Sequence, residues 1–168
     1  MSELVFQTEW FQVRKEDSPY YKDPYYIIDF PVGIIILALT PDNKVILVQQ
    51  YRPPVHSITL ELPAGMQDKG ETPLETAIRE LYEETGYRCT DWKHLASGTL
   101  YQSRIGTEEQ VYVGTGAVLD PNFVSKEPIT TVLVNFVKAK DLFGVSVTNF
   151  VYYAVLSLAE DRLNLGEN

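Results

Sequence analysis

The chain has 168 residues, enough for one domain to bury a sizeable core, and its 45% hydrophobic and 22% charged residues are ordinary globular values. Its 14 Lys and Arg stand against 23 Asp and Glu, a formal charge of −9. That balance argues against nucleic acid and anionic membranes as partners, since neither polyanion is attracted.

Residues 1–30 are expected to form an N-terminal β-extension of a single domain spanning 1–168. The opening Met1-Ser2-Glu3-Leu4 lacks the basic flank and apolar core of a signal peptide. The segment is rich in aromatics (Phe6, Trp10, Phe11, Tyr20, Tyr21, Tyr25, Tyr26), which suit an interface, stack on a base or cover one end of a sheet. Tyr25 to Phe30 and Val32 to Leu39 read as strands separated by Pro31, and the second is far too short to span a bilayer. The turn signal Pro41-Asp42-Asn43 leads to a strand over Lys44 to Gln49, which predicts a hairpin. Thr59 to Leu62 is a short strand.

Thr72-Pro73-Leu74-Glu75 starts a helix, with Thr72 as N-cap, Pro73 in the first turn and Glu75 completing a capping box. Leu74, Ala77, Ile78, Leu81 and Thr85 form its core-facing stripe, and Gly86 ends it in a left-handed cap. Glu80, Glu83 and Glu84 are expected on the side away from that stripe. Like charges at i, i+3 and i+4 repel, so the cluster is either a solvated acidic face or a site for a hard divalent cation. Further strands are expected near Trp92 to Leu100, Gln110 to Val118 and Thr131 to Val137, and a last helix over Val147 to Leu163. Cys89 is the only cysteine, which excludes a disulfide framework and suits a reducing cytoplasm. His56 and His94 have no ligand-like spacing, which argues against zinc.

The decisive pattern is Gly-x5-Glu-x7-Arg-Glu-U-x-Glu-Glu-x-Gly-U, with U a bulky apolar residue. It is met by Gly65, Glu71, Arg79, Glu80, Leu81, Glu83, Glu84, Gly86 and Tyr87. On these residues the chain resembles the Nudix hydrolases. Val48-Gln49-Gln50-Tyr51-Arg52-Pro53-Pro54 and Glu61-Leu62-Pro63-Ala64-Gly65 are similar to the ADP-ribose and nucleotide-sugar pyrophosphatase branch. The resemblance implies an α+β fold, an α/β/α sandwich with a mixed central sheet and a catalytic loop-helix-loop. It also implies Mg²⁺, with Mn²⁺ as a substitute, held by Glu80, Glu83, Glu84 and the backbone carbonyl of Ala64.

In that reading Arg79 holds the glutamates, Glu71 pairs within the loop, and Arg52 contacts the substrate. The general base is a box glutamate such as Glu83 or a later-loop glutamate, for which Glu127 is the candidate beside the plain-loop alternative. Ser103-Arg104-Ile105-Gly106-Thr107-Glu108-Glu109 resembles a loop that places Glu109 near substrate and metal. Arg104 stands where the branch has a proline tied to ADP-ribose selectivity, so it is a further substrate-binding candidate. The implied activity is hydrolysis of a nucleotide-sugar diphosphate by a cytoplasmic homodimer. The alternatives are a nucleotide-sensing domain without catalysis and a house-cleaning nucleoside triphosphate pyrophosphohydrolase.

Overall fold

The computed structural model describes residues 2–145 and 150–163. It opens with β1 (Ser2–Gln7), β2 (Gln12–Glu16) and β3 (Tyr25–Asp29), a three-stranded antiparallel sheet joined in chain order. β4 (Gly33–Ala38), β5 (Lys44–Arg52), β6 (Ser57–Glu61) and β7 (Ala64–Met66) lead to the helix α1 (Pro73–Thr85). After it come β8 (Tyr87–Arg88), β9 (Asp91–Gly98), β10 (Glu109–Thr115), β11 (Val118–Leu119), β12 (Thr130–Asn135), α2 (Phe136–Val145) and α3 (Phe150–Leu163).

β4 is the central element. It pairs parallel with β10 and antiparallel with β7, in a mixed sheet of order β7-β4-β10-β9. A second, antiparallel sheet runs β12-β5-β6, and β11 pairs with β8. Every residue of β4 is buried, so its side chains feed both faces. Ile34, Ile36 and Ala38 join Ile46 of β5 and pack on Ala77 and Leu81 of α1. Ile35, Leu37 and Leu39 pack with Leu47, Val111, Val113 and the helical Phe136, Phe143, Tyr152 and Leu156. Helices thus cover the sheets on both sides, which is the sandwich expected from the sequence.

The expected hairpin between the strands at 32–39 and 44–49 does not form. The turn is present, with the Thr40 N–H on the Lys44 carbonyl at 2.9 Å and Asn43 at φ 58, but only Leu39 and Val45 form a bridge. β4 and β5 then diverge into different sheets. β4 is buried throughout and β5 over the four residues Val45 to Val48, on both faces, whereas a hairpin exposed on one side alternates. The strand expected to reach Val137 stops at Asn135, and α2 follows. Phe136, Ala139 and Phe143 carried its helical spacing and are all buried. The strand expected over 110–118 breaks at Gly116, whose φ of 67 favours glycine. Residues 147–149 of the expected last helix lie outside the described residues.

Candidate active site

The acidic helix is built as its local sequence dictates. The Glu75 N–H donates to Thr72 Oγ1 at 3.3 Å and the Thr72 N–H donates to Glu75 Oε2 at 2.7 Å, a reciprocal capping box. Gly86 closes the far end at φ 75, its N–H on the Tyr82 carbonyl at 2.8 Å. The expected core stripe needs correction, because Leu74 and Ile78 are exposed while Thr76 and Glu84 are buried. Glu84 therefore does not lie away from the core. Seven residues at about 100° each bring it to within about 20° of Ala77 on the helical wheel.

Arg79 is the hub of the loop and helix. Its Nε and Nη2 grip the Glu71 carboxylate at 2.8 and 2.9 Å, and Nη1 donates to Glu80 at 2.7 Å and Glu83 at 3.0 Å. Nη2 also reaches the Met66 carbonyl at 3.1 Å, so one guanidinium ties β7, the loop and α1 together. Glu71 accepts further bonds from the Thr76 hydroxyl and the Asp68 N–H. These partners, Arg79 foremost, hold its carboxyl down at about 2. Glu80 lies directly over Gly65. A Cβ at Gly65 would stand 2.0 Å from the Glu80 carboxylate, so only glycine permits this approach.

Glu84 is the unusual group. Its carboxylate accepts one bond, from the Ala64 N–H at 3.2 Å, and burial pushes its pKa up to about 8. Glu80 and Glu127 raise it further, and Arg52 works in the opposite direction. The Glu80 carboxyl is also raised, by burial first and by Glu83 and Glu127, against the pull of Arg79. The charges of Glu127, on the loop before β12, and of Arg52, at the end of β5, are thus both felt at Glu84. Among the described residues, no three carboxylate, histidine or cysteine groups are already gathered as a metal cage. The donor set nevertheless fits a hard divalent cation. It offers carboxylate oxygens that range from the buried Glu84 to the exposed Glu83, with no soft ligand among them.

The remaining candidates fall elsewhere. Arg104 stacks 4.1 Å from the Tyr25 ring centroid and donates to the Tyr26 carbonyl at 3.2 Å. Its loop is stitched to β3 by the Ile28 N–H on the Arg104 carbonyl and by a Tyr25 hydroxyl bond to the Ser103 carbonyl. Glu109 begins β10 and lies against Gly33 of β4, where a Cβ would clash at 1.9 Å, and burial raises its carboxyl. Neither Arg104 nor Glu109 contacts the carboxylate group around Glu84 among the described residues. His56 holds a left-handed turn after Pro53–Val55, and His94 packs edge-on against Tyr112. Sequence reading missed Thr59 and Tyr152 around Arg52 and placed Glu61 only within a motif. The strand pairing of Gln50 with Thr59 offered the one local signal.

Two curated bacterial relatives match part of the chain. The chain is 45% identical over 71 residues to the methanol dehydrogenase activator of Bacillus methanolicus, covering 42% of this chain and 38% of that protein. It is 39% identical over 85 residues to the ADP-ribose pyrophosphatase of Bacillus subtilis, covering 51% of this chain and 44% of that protein. The chain therefore spans less than half the length of these relatives. A crystal structure of an ADP compounds hydrolase shares the fold with a TM-score of 0.80 at 23% identity, over 98% of this chain and 92% of that one. The NUDIX domain model matches residues 29–142, well over half of the chain and including every residue of the acidic loop and helix, and the chain belongs to that family.

Proposed function

We propose that this protein hydrolyses the diphosphate bond of a nucleoside diphosphate sugar, ADP-ribose or a related compound, to a nucleoside monophosphate and a sugar phosphate. The observation that carries this reading is the buried Glu84 carboxyl, held beside Glu80 and within reach of the charge on Glu127. The ADP-ribose pyrophosphatase among the relatives supports the substrate class. Mg²⁺, with Mn²⁺ as a substitute, is the cofactor we assign, with Glu80, Glu83, Glu84 and the Ala64 carbonyl to hold it. Such an ion neutralises the diphosphate and makes a bound water a better nucleophile.

The chain's own residues supply the rest. Glu127 accepts the proton of the attacking water as its oxygen bonds to phosphorus and the bridging P–O bond breaks. Arg79 keeps Glu80 and Glu83 in place through its fork. Arg52 offers its guanidinium to the diphosphate or the distal sugar. Arg104 and Glu109, on a loop and strand packed against β3 and β4, are the further residues we assign to the substrate. We further read the domain as spanning 1–168, with the exposed N-terminal sheet as the contact surface of a homodimer in a reducing cytoplasm. No described helix is long and apolar enough to cross a membrane.

A panel of ADP-ribose, other nucleotide sugars and nucleoside triphosphates, with Mg²⁺ and with excess chelator, tests the reading. Release of nucleoside monophosphate from the sugars, abolished by chelator, is the expected result. Turnover that survives chelator would overturn the metal assignment. No turnover on any compound would favour a nucleotide sensor, and selective triphosphate cleavage a house-cleaning enzyme.

A further inference from the structure

The Glu61 carboxylate on β6 is buried, at 7% exposure, yet four side chains converge on it. Arg52 donates through Nε to Oε1 at 2.8 Å and through Nη2 to Oε2 at 2.7 Å. Thr59 donates its hydroxyl to Oε1, and the Gln50 amide lies 3.5 Å from Oε2. The Tyr152 hydroxyl, from α3 and 91 residues further along the chain, donates to Oε2 at 3.3 Å. Tyr152 is itself buried at 5% exposure, its ring edge-on to Phe143 of α2 with centroids 5.4 Å apart.

This geometry has a specific effect on Arg52. A fork made through Nε and Nη2 fixes the guanidinium plane and leaves the Nη1 edge directed away from the carboxylate. The Arg52 side chain is 45% exposed despite the fork, and its charge is felt at Glu84. An unanchored arginine would sample many rotamers and would have to be ordered by each substrate. Here the ordering is complete before a ligand arrives. Burial works against the Glu61 charge, and the bonds from Arg52, Thr59 and Tyr152 outweigh it.

We propose that Tyr152 and Glu61 are positioning residues that aim the Arg52 guanidinium at the substrate, so that the C-terminal helix α3 forms part of the binding site. The proposal rests on the reading of Arg52 as the ligand of the diphosphate or distal sugar. Tyr152 enters through one hydroxyl, which Tyr152→Phe removes while the ring and its contact with Phe143 remain.

A double-mutant cycle on the full chain, with ADP-ribose and Mg²⁺, tests it. Tyr152→Phe is expected to raise KM roughly two- to tenfold, the factor of one hydrogen bond, with kcat within about twofold of wild type. In an Arg52→Ala background, where KM is already high, the same change is expected to move KM by less than about a factor of 1.5. An unchanged KM in Tyr152→Phe, or an equal rise in both backgrounds, would overturn the proposal and leave Tyr152 a packing residue. If Arg52→Ala itself leaves KM unchanged, the reading of Arg52 fails and this proposal falls with it. Thr59→Val removes a different donor from the same carboxylate and carries the same cycle should Tyr152→Phe not fold.

Discussion

The loop and helix from Ala64 to Gly86 and the N-terminal sheet from Ser2 to Asp29 are built on opposite plans. In the first, charged groups meet partners a few residues away. Arg79 alone binds Glu71, Glu80, Glu83 and a backbone carbonyl, and Ala77 and Leu81 are buried beneath. In the second, the polar groups are paired, as in the contacts of Arg14 with Asp29 and Glu16, but the apolar ones are left outside. Leu4, Phe6 and Trp10 are 53%, 54% and 62% exposed. The contrast teaches that the acidic face is held by pairings within its own stretch of sequence, while the N-terminal sheet leaves large apolar side chains in solvent.

Breaking the first region should have the largest effect. Glu83→Gln and Glu84→Gln are each expected to lower kcat by roughly 10²–10³, the scale of losing one preorganised electrostatic group, with the fold intact by circular dichroism. Near wild-type turnover in either variant would remove that residue from the site. Leu81→Ala, which empties a fully buried position under the same helix, should cost about 2–5 kcal/mol in denaturant unfolding. A loss below about 1 kcal/mol would show that α1 is not anchored through this contact.

The pairing of Glu71 gives a smaller, pH-confined effect. Its folded pKa is depressed to about 2 from the ordinary 4.5, so its stabilising contribution is complete above pH 4.5 and fades as pH falls through 2. Glu71→Gln should therefore flatten the acid limb of the stability profile between these values. A profile parallel to wild type there would contradict the assigned pairing. The smallest effect belongs to the other region. Trp10→Ala should change stability by no more than about 0.5 kcal/mol, the usual range for an exposed site. A larger loss in the isolated chain would mean that Trp10 packs within its own protein after all. Measured again by light scattering, the same variant would weaken a dimer that uses this face.

What could be read from the sequence follows the same division. The capping box at Thr72 and Glu75 and the left-handed Gly86 are short-range consequences of residue type and form as expected, whereas Arg79, expected to hold Glu80, Glu83 and Glu84, binds the first two and takes Glu71 in place of Glu84. The hairpin was misread because turn chemistry fixes a reversal of the chain and not the sheet that each strand then joins. α2 was missed because its spacing of Phe136, Ala139 and Phe143 directly follows a β-branched strand, with no cap to mark the change. The burial of Glu84 was within reach of the helical wheel. The bond from Tyr152 to Glu61 was not, since it joins an aromatic residue of the core pattern to a strand through folding alone.

The fork of Arg79 has a consequence for the order of assembly. Four glutamates on one loop and helix would repel one another and oppose the fold that gathers them. By placing a permanent cation among them, the chain supplies its own counter-ion, and the scaffold can close at any concentration of metal in solution. Glu84, to which no Arg79 bond runs among the described residues, stands apart, with burial raising its carboxyl toward the neutral form. A cation taken up there would meet a scaffold that its own arginine had already closed.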